Sequence, residues 1–229
     1  MMKVLSTKQL DGNQLLYADK LGLKITTMDV VETTGVNFEF NPALLKTYDG
    51  VVFTSQNAVN GFFAFGNFVT IISGKKIFAT SGRTANALAQ RGFIPMMGKN
   101  ANELADVIIN NKTVKSVMHI CGNLKLDVLE EKLTGAKISY TPLVVYETIL
   151  LKEKAPSGKY DAVMLYSPSG VESYFSANKP REKTAYCCIG DTTAAAAIKT
   201  APASLVFEAK EPTPESMMDC IVETLVVKK

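Results

Sequence analysis

The stretch Tyr48–Phe63, YDGVVFTSQNAVNGFF, decides the fold because the chain repeats it as Tyr160–Phe175, YDAVMLYSPSGVESYF. Each copy begins with Tyr-Asp, continues as a short apolar run and reaches a serine, Ser55 in the first copy and Ser167 in the second. Apolar residues at helical spacing follow each serine. Each copy therefore predicts a β-strand, a polar turn and a helix amino terminus, which is where α/β proteins hold ligands with free backbone N–H groups.

Other parts of the chain are repeated in the same order. Residues 24–33 resemble 137–148, and 83–85 resemble 192–194. Strands alternate with helices throughout, which predicts two homologous α/β domains whose parallel sheets are covered on both faces. The chain thus consists of a short βαβ segment and a longer segment, and this pair of segments occurs twice in succession. Spacing alone does not decide which short segment packs with which longer segment.

Hydrophobic periodicity predicts the individual elements. A first helix covers about 9–21, with Leu10, Leu15, Leu16 and Leu21 along one face and Gly22 as its C-cap. Further along, the pattern predicts a strand at 93–96, a helix at 124–133, a strand at 137–141 and a separate extended segment at 143–148.

Composition limits the function classes. The chain has 229 residues, 47% of them apolar, and a net charge of +3, which by itself is too small to indicate nucleic-acid binding. The first residues lack the apolar run of a signal peptide, and no run reaches membrane-spanning length. We expect a soluble, cytoplasmic, monomeric protein that binds neither nucleic acid nor membrane.

The cysteines and the single histidine do not indicate a metal or a nucleophile. Cys121, Cys187, Cys188 and Cys220 show no metal-ligand spacing, so reduced thiols are expected. His119 lies within a predicted buried strand, which favours a structural role. We predict no metal. An enzyme of this sequence would act by positioning and hydrogen bonding.

Two pairs of turns are candidate binding sites. Their residues are Thr54, Ser55, Gln56 and Asn57; Ser167, Pro168 and Ser169; Ser81, Arg83 and Thr84; and Thr192 and Thr193. Helix capping alone would explain many of these hydroxyls. However, the turns follow strands, where open α/β sheets bind ligands. Neither GxxxxGK[ST] nor GxGxxG is present, so the turns suit carboxylates or phosphates held without a nucleotide-binding signature.

Tyr146 is a candidate catalytic residue. Its counterpart in the repeat is Val31, so the fold does not require an aromatic side chain there. Packing in a strand is the ordinary role of such a tyrosine. The alternative is that its phenol donates or accepts a proton.

The motifs together resemble a known family. They are FTSxNAV at 53–59, VYET at 145–148, SPSGV at 167–171, IGDTTA at 189–194 and PTPE at 212–215. In order and spacing over nearly the whole chain, they are similar to those of uroporphyrinogen-III synthase.

The resemblance implies a fold of two flavodoxin-like α/β domains joined by a two-stranded β-ladder. Residues 1–29 would pair with 149–229, and 36–142 would form the other domain. Segments 30–35 and 143–148 would form the ladder. Each domain would then combine the longer segment of one repeat with the short βαβ segment of the other repeat.

The resemblance also implies a reaction. Hydroxymethylbilane, a linear tetrapyrrole, would be cyclised to uroporphyrinogen III with inversion of ring D through a spiro intermediate, without a cofactor. Tyr146 matches the tyrosine proposed to help the hydroxyl leave. Thr84 and Thr193 match two helix-start threonines, and Ser167 matches a strand-end serine.

Some positions depart from the family pattern. Thr7-Lys8 replaces Thr-Arg, Cys121-Gly122 replaces Arg-Gly, and Ser81 stands where glycine is frequent. These departures concern individual carboxylate contacts. The alternative function is a non-catalytic two-lobed sensor or binding module for a small anionic ligand. A flavin-binding electron carrier is a poorer interpretation.

Overall fold

The structure is a computed structural model that describes residues 1–38, 40–66 and 68–226. The chain divides into two compact units. Unit 1 is Met1–Glu32 with Ile149–Lys229, and unit 2 is Thr33–Thr148. Each unit contains one sheet with an apolar cluster on either face, so the predicted α/β class is confirmed. The predicted ladder linker and its bounds stay a prediction.

Eleven strands occur in the described residues: β1 Met2–Ser6, β2 Leu23–Thr27, β3 Val31–Gly35, β4 Gly50–Phe53, β5 Lys76–Thr80, β6 Met96–Gly98, β7 Ser116–Gly122, β8 Ser139–Leu150, β9 Ala162–Leu165, β10 Ala185–Cys188 and β11 Val206–Glu208. Ten helices occur in the same residues: α1 Gly12–Lys20, α2 Pro42–Leu45, α3 Gln56–Phe65, α4 Val69–Ile72, α5 Arg83–Ala89, α6 Ala101–Asn110, α7 Val128–Gly135, α8 Pro168–Ala177, α9 Asp191–Thr200 and α10 Pro214–Val226.

The sheet of unit 1 has the order β2-β1-β9-β10-β11, and its paired strands are parallel. Numbered within the unit, this is the flavodoxin-like order 2-1-3-4-5. Val4 and Met164 pack on one face, and their neighbours Leu5 and Val163 pack on the other. Side chains alternate across a strand, so both faces must be covered by helices, as the apolar strands predicted.

The sheet of unit 2 has the order β3-β8-β7-β4-β5-β6, with parallel pairing from β8 to β6. In the sequence repeat, β4 of unit 2 corresponds to β9 of unit 1, and the start of β8 corresponds to β2. The strands next to them correspond as well, so repeated strands occupy equivalent places in the two sheets. The repeat in the sequence is therefore a repeat in the fold.

The first helix is shorter than predicted, and only part of its predicted apolar face is buried. The Asp11 side chain accepts a hydrogen bond from the Gln14 backbone in a capping box, which starts α1 at Gly12. Leu15 and Leu16 are 42% and 64% exposed, whereas Ala18 is 1% exposed. Leu10 and Leu21 pack half-buried against the core as predicted, so the prediction was wrong only for Leu15 and Leu16, in whose place Ala18 and Tyr17 face the core.

Three other element predictions were also wrong. The strand predicted at 93–96 is β6, which begins only after Pro95, a residue without a backbone donor. The helix predicted from residue 124 begins at Val128, after a non-helical segment that contains Lys125, whose side chain bonds Asp127 and Glu130. The two extended segments at 137–141 and 143–148 are one strand, β8. The short helices α2 and α4 were not predicted.

Candidate functional site

The candidate site of unit 2 lies where its strand order reverses. Successive strands are added on one side of β4, whereas β7 pairs on the other side, and ligands of open α/β sheets bind at such a point beyond the carboxyl ends of the strands. The turn 54–57 leaves β4 there. Ser55 is the N-cap of α3, and its Oγ accepts a hydrogen bond from the Ala58 N–H at 3.0 Å. Gln56 and Asn57 are exposed.

Tyr146 lies against the same turn. Its hydroxyl is 3.0 Å from Ser55 Oγ, and either atom can be the donor. The register of β7 with β8 shifts at this place, because Cys121 pairs with Val144 but Gly122 pairs with Tyr146. Val145 is therefore the extra residue of a β-bulge, a feature that re-aims side chains next to functional sites.

Gly122 provides the space for the Tyr146 ring. A Cβ atom on Gly122 would lie 2.6 Å from Cε2 and 2.9 Å from the hydroxyl oxygen of Tyr146. Beyond the glycine, Asn123 Oδ1 accepts a hydrogen bond from Thr148 N at 2.8 Å, which holds β8 past the end of its ladder with β7. The backbone of 121–123 therefore fixes where the phenol lies.

Burial determines the protonation of this cluster. It raises the pKa of the Tyr146 phenol above its ordinary value, while the hydrogen bond with Ser55 acts in the opposite direction. Burial also raises the pKa of the Cys121 thiol to about 11. At neutral pH Tyr146 is a protonated hydroxyl, and Cys121 is a neutral thiol that cannot replace the arginine of the family pattern.

His119 is buried and bonded at both ring nitrogens, as the sequence predicted for a structural histidine. Nε2 lies 2.9 Å from Thr54 Oγ1, and Nδ1 lies 2.6 Å from the Tyr140 hydroxyl. Burial lowers the pKa of the imidazole to about 3, and the charge of Lys125 contributes in the same direction. The neutral ring thus holds Thr54 in place.

The stability of the protein is expected to fall as pH decreases from about 6.5 towards 3. In this window the unfolded chain protonates His119 and the native protein does not, so the free energy of unfolding declines by up to about 1.4 kcal/mol per pH unit. Chemical denaturation across this range measures the slope. His119→Gln should reduce the slope of the free energy of unfolding against pH by up to the contribution of one proton. Identical slopes in both proteins would contradict the assignment.

The second turn of unit 2 carries Ser81, Arg83 and Thr84. Gly82 has a φ of 74°, a left-handed conformation that favours glycine, and it precedes α5 without a side-chain cap. Ser81 and Arg83 are exposed, whereas Thr84 is buried and accepts a hydrogen bond from the Thr80 hydroxyl at 3.0 Å. Thr84 therefore braces the turn, whereas Ser81 and Arg83 face solvent.

Unit 1 has the equivalent strand-end turn after β9. Ser167 is the N-cap of α8; its Oγ accepts from Gly170 N at 3.0 Å and lies 3.0 Å from Ser169 Oγ. Pro168 is the first helical residue. The Tyr166 hydroxyl lies 3.0 Å from Ser6 Oγ at the carboxyl end of β1, so this turn too lies where the strand order reverses.

The Thr192-Thr193 turn begins α9. Its N-cap, Gly190, provides no side-chain hydrogen bond, and Asp191 accepts from Thr192 N at 2.6 Å. Thr192 is exposed and Thr193 is buried. As in the equivalent turn of unit 2, one threonine is inside and its neighbour is at the surface.

Several contacts of these turns were not predicted from the sequence. The structure brings Ser55 and Tyr146 together in unit 2, and it adds His119, Gly122 and Asn123, which had no predicted site role. Gly122 carried a usable signal, because a glycine at a strand end often marks a bulge or a close approach. The bonds of His119 had no signal in the sequence.

Comparison with known proteins decides the family. The family model described as uroporphyrinogen-III synthase HemD matches residues 20–219, which is most of the chain. The chain belongs to the uroporphyrinogen-III synthase family. It is accordingly an enzyme of haem biosynthesis, as the resemblance implied. No curated protein sequence matches the chain significantly.

Solved structures of uroporphyrinogen-III synthases share the fold. A mutant enzyme from the extreme thermophile Thermus thermophilus has a TM-score of 0.74 at 17% identity, with all of both chains covered. The Helicobacter pylori enzyme has a TM-score of 0.68 at 18% identity, covering 98% of this chain and 100% of its own. Within the described residues, no helix is both long and apolar enough to cross a membrane.

Proposed function

We propose that the chain is a cyclising hydro-lyase whose substrate is hydroxymethylbilane. The terminal hydroxyl leaves, a spiro intermediate forms and rearranges, and ring D is inverted in the product, uroporphyrinogen III. The family match supports the activity, and the contact of Tyr146 with Ser55 supports the chemistry. Cytoplasmic location and a monomeric state belong to the same proposal.

Tyr146 is proposed to protonate the leaving hydroxyl. Ser55 Oγ already accepts a hydrogen bond from Ala58 N, and it has one proton of its own to donate. When Ser55 donates to the phenol oxygen, the Tyr146 proton is free for the substrate. The same bond then stabilises the phenolate that remains, assisted by the positive end of the α3 dipole.

The polar turns are proposed to bind the acetate and propionate groups that the substrate carries on each ring. The residues that would contact it are Thr54, Ser55, Gln56, Asn57, Ser81, Arg83, Ser167, Pro168, Ser169 and Thr192. Thr84 and Thr193 are buried, so we assign them to bracing the turns. Arg83 offers a guanidinium fork for a carboxylate, and the helix amino termini offer N–H donors.

The activity is tested by supplying hydroxymethylbilane to the purified protein, oxidising the products and separating the isomers. Without catalysis the bilane closes to the uninverted type I isomer, so type III product above a no-enzyme control is the expected result. Heat-denatured protein is the matched control. Only type I isomer would contradict the function and favour the binding-module alternative.

A further inference from the structure

Unit 1 contains a cavity that lies away from the candidate site. Its volume is about 240 Å³. Its wall includes Tyr160 and Thr184, which precede β9 and β10, and Tyr174 on α8. The cavity therefore opens near the amino-terminal end of β9, whereas Ser167 follows the carboxyl-terminal end of the same strand. The reaction proposed above does not use this end of the sheet.

The charge of the cavity wall is positive. Lys154, Lys179 and Arg181 line it, and no carboxylate does so in the part of the chain that the structure describes. Arg181 is fixed in place, because its Nη1 donates to the Gly158 carbonyl at 2.9 Å and its backbone N–H donates to the Tyr186 hydroxyl at 3.1 Å. The remaining N–H groups of the guanidinium can bind an anion.

Tyr174 is the buried polar group of the wall. It is 6% exposed, and its hydroxyl has no hydrogen-bond partner within the described residues, although it lines the cavity. Every fully enclosed side-chain nitrogen or oxygen in those residues has a partner, so this hydroxyl reaches the cavity space. Burial raises the pKa of the phenol, which keeps it protonated and able to donate.

Another part of the wall is apolar, and its loop is held by hydrogen bonds. Ala155, Pro156 and Ala177 contribute apolar surface. Asn178 fastens the loop to α8: its Oδ1 accepts from Ala155 N at 2.8 Å, and its Nδ2 donates at 2.9 Å to the carbonyl of residue 153. The volume is below the 300 Å³ or more typical of pockets for drug-sized ligands, so the occupant must be small.

We propose that this cavity is a second ligand site, which binds a small organic carboxylate with an apolar body. The carboxylate would accept hydrogen bonds from Tyr174 and Arg181. Lys154 and Lys179 would add charge, and the apolar part would lie against Ala155 and Ala177. A buried donor without a partner beside three cations is the arrangement that such an anion completes. The proposal does not depend on the reaction of the chain.

The test uses the full-length chain labelled with ¹⁵N and titrated with benzoate. We expect amide shifts that saturate and are confined to the cavity wall. Benzyl alcohol, which lacks the charge, and inorganic phosphate, which lacks the apolar body, should each bind at least about fivefold more weakly. Equal binding of either probe, or shifts centred elsewhere, would overturn the proposal.

Variants identify the groups responsible. Tyr174→Phe removes a hydroxyl without a partner in the described residues, so the midpoint of thermal unfolding should hold while benzoate binding weakens about fivefold. Lys154→Gln should also weaken binding. Lys112→Gln, an exposed lysine of unit 2, is the charge-matched control and should bind normally. Unchanged binding by both cavity variants would refute the site, and Lys154→Gln serves as the test if Tyr174→Phe fails to fold.

Discussion

Tyr146→Phe is expected to lower kcat for uroporphyrinogen III formation by at least about tenfold while leaving the fold intact. The variant keeps the ring beside Gly122 and removes only the hydroxyl that lies 3.0 Å from Ser55 Oγ. Loss of that hydrogen bond should cost about 1 kcal/mol of stability. The measurement is the rate of type III product formation, with circular dichroism to show that the variant is folded.

Tyr48→Phe is the matched control for this variant. Tyr48 belongs to the same unit, is also half-buried, and donates its hydroxyl to Thr141 Oγ1 at 2.9 Å. It should therefore lose a similar amount of stability and keep its activity. If the two variants have equal turnover, Tyr146 contributes packing alone and is not the proton donor.

Gly122→Ala is expected to reduce both activity and stability, the latter by about 1–3 kcal/mol, a typical cost of overpacking. The new methyl group would lie 2.6 Å from Cε2 of Tyr146, so the ring must move away from Ser55 or the strand end must shift. In either case the phenol leaves its position. Denaturant unfolding and the isomer assay measure the two effects.

A double-mutant cycle shows whether the damage passes through the tyrosine. In a Tyr146→Ala background the added methyl group has no ring to meet, so Gly122→Ala should cost little further stability there. Gly135→Ala is the neutral control, since a Cβ at that position would have no neighbour within 4 Å. If Gly122→Ala lowers stability as much in the Tyr146→Ala background as in the original chain, the strain comes from the backbone and not from the Tyr146 ring.

The internal repeat made much of the architecture predictable. Two copies of strand, serine and helix located Ser55 and Ser167 at strand ends, and the structure shows both as N-caps. These features depend on local chemistry, because a serine hydroxyl caps the helix through an N–H only three residues further along the chain. Whether substrate also uses these turns stays a prediction.

The contacts around Tyr146 could not be predicted because they depend on register. A one-residue bulge at Val145 changes which residue lies opposite Gly122. The glycine signals a bulge or a close approach, but it does not say which residue of β8 lies opposite. The contacts of His119 could not be predicted either, because its partners Thr54 and Tyr140 come from distant positions in the sequence. Long-range pairing, not propensity, decides these contacts.

The first helix illustrates a different failure. Leu15 and Leu16 are the leucines within α1, yet both are exposed, whereas Ala18 lies in the core and Tyr17 packs against it. Leu10 and Leu21, which flank the helix, pack against the core as predicted. Hydrophobicity alone therefore misplaced the two leucines inside the helix.

The order of strands in unit 1 has a consequence for synthesis on the ribosome. β1 pairs with β9, whose residues are made more than half a chain later. Until then one edge of β1 has no native partner, and an exposed strand edge is a site for wrong pairing. Unit 2 is continuous from Thr33 to Thr148, so it can complete its fold while β1 still lacks its partner strand β9.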